Sequence, residues 1–347
     1  MTQQFKDQIL YLAGGDVRQL CSEIDSIALA AKVFSAHGSG QTILPAETYL
    51  GWQDAANNSV RSLCMPGYLG GEFHIVGTKV INANPANPAR GLERASGVTL
   101  LFDPETARIK CIMEASVISA LRTAAVSMLS IDLLSCPDVL CICIIGLGVI
   151  GTTHLRFAVR RLPSLERAIL IDASSTKAET VADEIRRTEN CPAEIDCSAN
   201  LEAAVRSADV VVTATTVTVG YIPYCWLKPG AVVVNVSLDD LLTDVFLNAD
   251  LLFVDDWSLV CADNRRMLGR LHHEGKIAGP GEQRTASNVR KIDGELADLV
   301  LNRHPGRRSA EEIAVVNPFG MAIQDVALAS LIFEAALRRS VGVYLDA

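Results

Sequence analysis

A glycine-rich turn between two apolar runs lies in the middle of the chain and constrains its fold more than any other feature. Residues 139–151 read VLCICIIGLGVIG, and a second apolar run ends in an acid at 168–172, AILID. In the spacing Gly146-x-Gly148-x-x-Gly151, the first glycine would make a tight turn and the second would let backbone amides approach a pyrophosphate. The third would let a helix pack closely against the strand. The pattern therefore predicts a dinucleotide-binding βαβ unit.

The helix that follows the glycine turn would hold the phosphates of the dinucleotide. Its first amides, including those of Val149 and Ile150, have no partner within the helix, and the helix dipole favours an anion there. Asp172 ends the second strand, where a carboxylate accepts hydrogen bonds from the adenosine ribose and repels a 2′-phosphate. No arginine follows within the next three residues, so the sequence favours NAD over NADP. The alternative is that Asp172 only caps a turn.

Apolar strands alternate with polar helices from about residue 138 to residue 260. The strands read LCICIIG, RAILIDA, DVVVTAT, AVVVNVS and DLLFVDD, and helical spacing is found in TKAETVADEIRRTEN and NLEAAVRSA. Strands that are apolar on both faces are typical of a parallel, doubly wound sheet. Ligands of such sheets bind beyond the carboxyl ends of the strands, which adds candidate cofactor contacts there. These candidates are Thr213, Ala214, Thr215 and Ser237.

The chain before residue 130 has shorter, alternating stretches that predict an antiparallel sheet. GVTLLF and IKCIME flank Asp103-Pro104-Glu105-Thr106, a sequence typical of a hairpin turn. Residues 114–135 predict a strong helix that leads into the central region. A second apolar helix is expected at 321–338 and would return to the first region.

These patterns predict an α/β protein with two domains, which a chain of 347 residues is long enough to form. A Rossmann domain with a doubly wound parallel sheet, residues 131–317, would bind NAD. It would be inserted into a discontinuous α+β domain, residues 1–130 plus 318–347, which would bind the substrate.

Composition narrows the partners and the compartment. A net charge of −9 argues against nucleic acid as a partner. We expect no membrane association, because no apolar run approaches the roughly 20 residues of a membrane helix and the N-terminus lacks a signal-peptide pattern. The ten cysteines are scattered, and several, such as Cys111, Cys141 and Cys143, lie inside apolar runs. We therefore expect a reduced, cytoplasmic protein without a metal site.

Two cationic residues interrupt apolar segments. Lys79 lies in the strand HIVGTKVIN, where desolvation near a substrate cleft would lower its pKa and suit it to acid–base chemistry. Its alternative role is a stem that covers the sheet while the ammonium group reaches water. Arg122 lies among small residues in ISALRTAAVS and could bind a carboxylate in bidentate fashion. Its alternative is an internal salt bridge.

Further charged candidates stand near predicted strand ends. Arg61 and Arg94 could bind an anionic substrate or lie on the surface. Asp239 and Asp240 follow AVVVNVS, where an acid would face the nicotinamide end of the cofactor. Their alternative role is to cap the next helix.

Taken together, these segments resemble the ornithine cyclodeaminase/mu-crystallin family over nearly the whole length. The resemblance is carried by Met65-Pro66, GTKVIN, ERASGVTLLFDPET, MEASVISALRTAAVS, IIGLGVIG and NPFGMAIQDVA. It implies that Met65, Lys79 and Arg122 contact the substrate and that Thr123 lies near the cofactor phosphates. It also implies an acid–base aspartate after AVVVNVS and a homodimer formed through the outer domain.

The loop that would carry this aspartate departs from the family pattern. Cyclodeaminases have a glycine-rich GGDxPGKxE loop, whereas this chain has the shorter NVSLDDLLTDVF. Counting from Asn235, Asp240 falls at the acid–base position, and Asp239 is the alternative. The shortened loop argues against ornithine cyclisation.

Within the family, the chain is most similar to members that make 2,3-diaminopropionate for siderophores and peptide antibiotics. The similarity includes MPGYLGGEFHIVGTKVI and VDDWS. It implies NAD-dependent oxidative cleavage of N-(2-amino-2-carboxyethyl)-L-glutamate to L-2,3-diaminopropionate and 2-oxoglutarate. A substrate with three carboxylates suits several cations, since each buried carboxylate needs a charged or hydrogen-bonding partner. The candidates are Arg61, Lys79, Arg94 and Arg122.

Other activities remain open at this point. The chain could be an ornithine cyclodeaminase, an alanine- or opine-type dehydrogenase, or a binding protein like mu-crystallin that has no catalytic role. Lys79 and Asp240 favour chemistry, because a passive binder needs neither. In the catalytic hypothesis, Asp240 handles the protons of the amine and of water. Lys79 orients the glutamate-side carboxylate and tunes that acid, and closure of the two domains brings both to the reacting carbon.

Overall fold

Residues 8–136, 138–283 and 286–346 are described by the computed structural model of the protein. The strands are numbered in chain order. They are β1 (Gln8–Leu12), β2 (Thr42–Ile43), β3 (Thr48–Gln53), β4 (Ser59–Leu69), β5 (Ile75–Ala83), β6 (Ala95–Phe102), β7 (Ile109–Glu114), β8 (Cys141–Ile145), β9 (Arg167–Ile171), β10 (Glu194–Cys197), β11 (Val210–Thr213), β12 (Val232–Asn235), β13 (Leu251–Val254), β14 (Ile277–Ala278), β15 (Arg290–Lys291), β16 (Gly294–Glu295), β17 (Ala314–Asn317) and β18 (Val343–Asp346).

The helices are numbered in the same way. They are α1 (Gly14–Cys21), α2 (Ser26–Gly38), α3 (Ala115–Leu134), α4 (Val149–Arg161), α5 (Ser175–Thr188), α6 (Leu201–Ser207), α7 (Thr243–Asn248), α8 (Trp257–Ala262), α9 (Met267–His273), α10 (Leu296–Val300) and α11 (Ala322–Arg339). Short 3₁₀ helices occur at Pro88–Arg90 and Tyr224–Trp226.

The chain divides into two compact units, and the first combines both ends of the chain. It contains the residues up to Arg122 and those from Gly320 onward. Its described residues form an eight-stranded sheet of order β18-β1-β7-β6-β5-β4-β2, with β3 paired to β4. Neighbouring strands are antiparallel except β1 and β7, which run parallel. The apolar helix α11 packs against β4, β5 and β6 and forms much of the core of this unit.

The second unit, Thr123–Phe319, is built on a parallel sheet. Within the described part of this unit, eight strands follow the order β10-β9-β8-β11-β12-β17-β13-β16. Every residue of β8, β11, β12, β13 and β17 is buried, because helices cover both faces of such a sheet. All carboxyl ends point to the same edge, which is where ligands bind in open α/β sheets.

The predicted fold class is confirmed. The five predicted central strands are β8, β9, β11, β12 and β13, and the β6–β7 hairpin turns at Asp103, whose Oδ1 accepts the amide of Thr106 at 2.8 Å. Sequence reasoning missed β17, which lies between β12 and β13 in the sheet. Its four residues, AVVN, are too short for periodicity to identify, and only pairing with two other strands defines them.

Helix α3 corrects one expectation from composition. Among the described residues it is the helix that is long and apolar enough to cross a membrane, with 20 residues and a mean hydropathy of 1.6. The expectation that no apolar run approaches this length is therefore wrong, because scattered Ser, Thr and single charged residues lower a hydropathy average only slightly. However, 67% of the apolar window is buried inside the protein, and core helices pass the same test. The helix is weak evidence for a membrane span.

All ten cysteines are free thiols. Burial raises the pKa of Cys111 to about 12 and also raises that of Cys141 and Cys143. These thiols therefore behave as small apolar groups. In the described ranges, no group of three or more His, Cys, Asp or Glu residues could hold a metal ion.

Candidate functional site

The turn after β8 has a shape that requires glycine at two positions. Gly146 has a φ of +90°, and a Cβ there would lie 2.8 Å from the carbonyl carbon of Ala214. A Cβ on Gly151 would lie 1.9 Å from the carbonyl oxygen of Gly146, so α4 packs against the turn with no space for a side chain. By contrast, no described atom lies within 4 Å of the position of a Cβ on Gly148. The turn is thus tightly packed underneath and open at the start of the helix.

The start of α4 has the properties of an anion site. Gly148 is its N-cap and contributes no side-chain hydrogen bond to the first amides. Val149 is 53% exposed, so the first turn is accessible. Unpaired amides and the helix dipole favour an anion here. The amides of Val149 and Ile150 and the open space at Gly148 therefore fit a dinucleotide pyrophosphate.

Asp172 follows β9 at the same edge of the sheet. Its Oδ2 accepts the amide of Leu147 at 2.7 Å, its Oδ1 accepts the amide of Ser174 at 3.0 Å, and Lys177 Nζ lies 3.5 Å from Oδ2. Burial raises the pKa of Asp172, but these bonds and the lysine outweigh it and lower the pKa below its usual range. The carboxylate is therefore an anion held against the glycine turn, as a ribose-binding acid must be.

Thr213 and Ser237, two of the predicted cofactor contacts, lie in a buried network at the ends of β11 and β12. The Thr213 hydroxyl donates to Asn235 Oδ1 at 2.7 Å, and the Ser237 hydroxyl donates to Thr213 Oγ1 at 2.8 Å. The amide of Ala214 bonds the carbonyl of Ile145 at 2.8 Å and so joins β11 to the end of β8. These bonds brace the strand ends, and cofactor contact by these residues stays a prediction.

Asp240 is fully buried and has two very different carboxylate oxygens. Its Oδ1 accepts the Thr215 hydroxyl at 2.7 Å and also the Tyr221 phenol. Its Oδ2 is buried without a hydrogen-bond partner among the described residues. Burial, and then the bond to Asp240, raise the pKa of Tyr221, so the phenol remains a donor. A buried oxygen without a donor is costly, which marks Oδ2 as a position where a ligand would supply one.

Its neighbour Asp239 is engaged differently. Asp239 Oδ1 forms an ion pair with Arg270 from α9. Neither aspartate caps α7, because the N-cap of that helix is Leu242. The structure therefore separates the two candidates. Asp239 has a cationic partner, whereas Asp240 is held by hydroxyl groups and has one buried oxygen without a partner among the described residues.

In the first unit, Lys79 and Arg122 meet at a carboxylate that sequence reasoning did not single out. Lys79 Nζ lies 2.9 Å from Asp325 Oδ2, and Arg122 Nε lies 3.3 Å from Asp325 Oδ1. Lys79 is 1% exposed and Asp325 is 0% exposed. We refer to these three residues as the Lys79–Asp325–Arg122 cluster. Both predicted cations thus take part in an internal salt bridge, the alternative considered for Arg122.

The β-sheet register places this cluster. Met65 on β4, Lys79 on β5 and Thr99 on β6 lie directly opposite one another, so they share one face of the sheet. Asp325 is supplied by α11, which packs against these strands. Burial lowers the pKa of Lys79 to about 8, although Asp325 opposes this and raises it. Lys79 does not snorkel to water, so that alternative is wrong.

A glycine turn leaves room for the Arg122 guanidinium. Gly320 has a φ of +99°, and a Cβ there would lie 2.7 Å from Nη1 and 2.9 Å from Nη2 of Arg122. Gly320, the residue before the N-cap of α11, therefore leaves the space that a residue of the cluster occupies.

Arg61 and Arg94, the other predicted substrate cations, form a second positive region of the same unit. Arg61 on β4 pairs with Ala83, and Ala83 pairs with Ala95, the residue after Arg94. Burial, and then the charge of Arg61, lower the pKa of Arg94. Arg61 lies four residues along β4 from Met65, or about 13 Å at 3.3 Å per residue. The two regions of positive charge therefore arise from backbone positions about 13 Å apart.

Thr123 begins the second unit and is 9% exposed. Ser127 Oγ lies 3.0 Å from the Thr123 carbonyl oxygen and 2.7 Å from His154 Nε2. His154 is buried, which lowers its pKa to about 4, and its Nδ1 lies 2.8 Å from the carbonyl of Ile150. A neutral histidine thus ties α3 to the first turn of α4. The predicted contact of Thr123 with the cofactor phosphates stays a prediction.

Sequence reasoning missed Asp325, Tyr221 and Arg270. Asp325 had a detectable signal, because it is a lone acid in the apolar helix MAIQDVALASLIF. Tyr221 and Arg270 had none, since a tyrosine in a loop and an arginine in a short polar helix are ordinary.

Comparison with known proteins agrees with this architecture. The sequence profile described as "Ornithine cyclodeaminase/mu-crystallin family" matches residues 16–340. The chain belongs to this family. The family predicted from the sequence is therefore confirmed.

Three known proteins are similar to the chain over nearly its full length. N-((2S)-2-amino-2-carboxyethyl)-L-glutamate dehydrogenase of Staphylococcus aureus is 35% identical over 98% of both chains. The crystal structure of CmnK is also 35% identical, with a TM-score of 0.89 over 98% of both chains. Delta(1)-pyrroline-2-carboxylate reductase of Thermococcus litoralis, solved in complex with NADH and L-proline, is 25% identical. Its TM-score is 0.84, and the match covers 96% of this chain and 99% of that one.

Proposed function

We propose that the protein catalyses the oxidative cleavage of N-(2-amino-2-carboxyethyl)-L-glutamate to L-2,3-diaminopropionate and 2-oxoglutarate. The protein is an NAD-dependent amino-acid dehydrogenase, the class to which its relatives belong. The finer assignment is supported by the relative of that name, which is 35% identical. Family membership alone leaves the substrate open, since other members are named as pyrroline-2-carboxylate reductases.

The second unit would bind NAD. The pyrophosphate would lie on the amides of Val149 and Ile150 beside Gly148, and Asp172 would accept the ribose hydroxyls. The carboxylate of Asp172 is already an anion and would repel a 2′-phosphate. When bound, NAD supplies the oxidising power by accepting a hydride from the α-carbon of the glutamate moiety.

The first unit would bind the carboxylates of the substrate. The Lys79–Asp325–Arg122 cluster has two cations and one anion, so it retains one net positive charge for a carboxylate partner. Arg61 and Arg94 would bind a second carboxylate. The two positive charges repel each other, and a bound anion would offset that repulsion. Two separate cationic regions suit a substrate with several carboxylates better than L-proline or L-alanine, which have one.

The chemical step is assigned to Asp240 because its Oδ2 is buried without a hydrogen-bond partner among the described residues. Hydride leaves the α-carbon only if the amine nitrogen has a free lone pair, so a base must first accept its proton. Oδ2 is free to accept it, since Thr215 and Tyr221 already hold Oδ1. A carboxylate so oriented is a suitable general base.

The rest of the reaction follows from proton and bond balance. Loss of hydride and of the nitrogen proton leaves a carbon–nitrogen double bond. The base then releases the amine proton to solvent, which is the one net proton that the reaction produces. Water adds to that carbon, and the base takes one of the water protons and returns it to nitrogen. The carbon–nitrogen bond breaks as the base removes the remaining hydroxyl proton and passes it to nitrogen, which leaves 2-oxoglutarate and the amine. Asp240 would serve each of these proton transfers.

Turnover with defined amines tests the proposal. The purified protein with NAD is given the glutamate adduct, L-proline, L-alanine or L-ornithine, and absorbance at 340 nm is followed. We expect NADH only with the adduct, with ¹⁸O from labelled water in 2-oxoglutarate. NADH formed only from another amine would replace the proposed substrate. NADH binding without turnover of any amine would support a binding protein instead.

A matched pair of variants tests the acid–base role. Asp240→Asn should lower kcat by about 10²–10⁴, the usual contribution of a positioned acid–base group, with KM for NAD nearly unchanged. Asp239→Asn removes the neighbouring carboxylate and should do much less, because Arg270 is its partner. The reverse order of effects would assign the role to Asp239. Equal, small effects would place the base elsewhere, with Lys79 the next candidate.

We further propose that the protein works in the cytoplasm as a homodimer and supplies diaminopropionate to a siderophore or peptide natural product. Ten free thiols suit a reducing compartment. Light scattering at micromolar protein concentration should give a single molecular mass of twice 37.2 kDa. A mass of one chain would contradict the dimer without affecting the proposed reaction.

A further inference from the structure

We propose that Asp325 is a positioning residue that aims Lys79 and Arg122 as one cationic anchor for a substrate carboxylate. The inference rests on the proposed function only in requiring an amino-acid substrate with a carboxylate. It assigns a role to a residue of α11 that lies 246 positions from Lys79 in sequence.

The bridging geometry is the first observation. Asp325 uses one oxygen for each cation, at 2.9 Å from Lys79 Nζ and 3.3 Å from Arg122 Nε. A single carboxylate held by two side chains fixes the separation of their charged groups. Long side chains otherwise lose rotamer freedom when they bind an anion, and a preformed arrangement avoids part of that loss.

The charge balance of the cluster is the second observation. Without Asp325, two cations would face each other in a buried site and repel. Glu47 also acts electrostatically on Lys79, and Ser119 Oγ lies 3.5 Å from its Nζ. Among the described residues, Asp325, Arg122 and Glu47 are charged groups that act on Lys79. Asp325 is the one in direct contact that favours the ammonium form.

The start of α11 stabilises Asp325 as an anion. Asp325 lies in the first turn of this helix, where the helix dipole favours a negative charge. The preceding Gly320 turn leaves the space that the Arg122 guanidinium occupies. Two features of one segment, the turn and the acid, are therefore arranged around the same cation.

A purely structural role does not account for such a cluster. A buried set of charges can often be replaced by packed apolar residues without loss of stability, so it contributes little to stability by itself. Lys79 is 1% exposed, and the neighbouring Met65 shows that this sheet face accepts apolar side chains. The three residues of the cluster carry one excess positive charge, with Glu47 acting on Lys79 from outside the cluster, and such an excess is suited to bind an anion.

The test compares Asp325→Asn, Lys79→Met and the double variant, as full chains with NAD. Asp325→Asn should raise KM for the adduct at least about tenfold at pH 8, since a buried charge partner is lost, with KM for NAD within about twofold. The pH at which KM begins to rise should move lower, because Lys79 loses its proton more easily. In the Lys79→Met background, Asp325→Asn should not move that pH. An unmoved pH profile in Asp325→Asn, or the same shift without Lys79, would overturn the proposal.

A second readout does not depend on the substrate. The titration of Lys79 can be followed through the free energy of unfolding in urea as a function of pH. It appears as the difference in that free energy between the chain with Lys79 and the Lys79→Met variant. Asp325→Asn should shift that titration to lower pH by at least about one pH unit. If it does not shift, the proposal fails. If it shifts while the adduct is not turned over, the proposed function fails and the electrostatic role of Asp325 stands. The double variant keeps the net charge of the cluster and should fold even where a single variant does not.

Discussion

The buried ammonium group of Lys79 should make the stability of the protein depend on pH in a defined window. Burial lowers its pKa from 10.5 to about 8 in the folded chain. Between these two values the unfolded chain binds more protons than the folded chain, so stability rises with pH. The contribution is fully present above pH 10.5 and is lost as the pH falls through about 8. Replacing Lys79 with methionine should remove this dependence.

The magnitude follows from the two pKa values. They differ by about 2.5, and each unit corresponds to about 1.36 kcal/mol, which makes about 3 kcal/mol. Lys79 is 1% exposed, so solvent screening reduces this figure little. The free energy of unfolding of the natural protein, minus that of Lys79→Met, should therefore increase by about 3 kcal/mol from pH 8 to pH 10.5.

Urea unfolding followed by circular dichroism at pH 7.5 to 10.5 measures this difference directly. The control is Lys276→Met, which removes an exposed lysine from the turn after α9, where an ion pair contributes little. A difference that stays flat over the window for Lys79→Met would refute the reasoning. It would mean that Asp325 compensates the burial of Lys79 completely or that Lys79 reaches water.

Three further substitutions have expected outcomes. Gly320→Ala should lower the melting temperature and raise KM for the adduct without changing KM for NAD. The reason is that the new Cβ would lie 2.7 Å from Nη1 of Arg122. An unchanged KM for the adduct would contradict this. Asp172→Ser should narrow the preference for NAD over NADP in paired kcat/KM measurements, and equal use of both cofactors by the natural protein would show that the ribose role is wrong. Tyr221→Phe should lower kcat by about tenfold, since Asp240 loses a hydrogen-bond donor that orients it. The control is Tyr224→Phe from the same segment, and equal effects of the two substitutions on kcat would argue against the orienting bond.

Local sequence patterns were sufficient to predict the parallel sheet and its glycine turn. The turn was recognisable because Gly146 and Gly151 satisfy steric requirements within a few residues of each other. The apolar strands were recognisable because burial on both faces removes polar residues from the strand itself. Such requirements are met by neighbouring residues, so they leave a mark in the linear sequence.

The contacts of the charged residues depended on tertiary structure. Asp239 and Asp240 are adjacent and chemically identical, yet Arg270 pairs with one and Tyr221 with the other. Asp325 meets Lys79 only because α11 packs on the sheet that contains β5. Electrostatic partners of this kind lie far apart in the chain, and no periodicity relates them. The sequence by itself therefore determined the central strands and the family, whereas packing decided the pairing of β17 and which charges meet. Coulomb interactions depend on distance in space and not on separation along the chain.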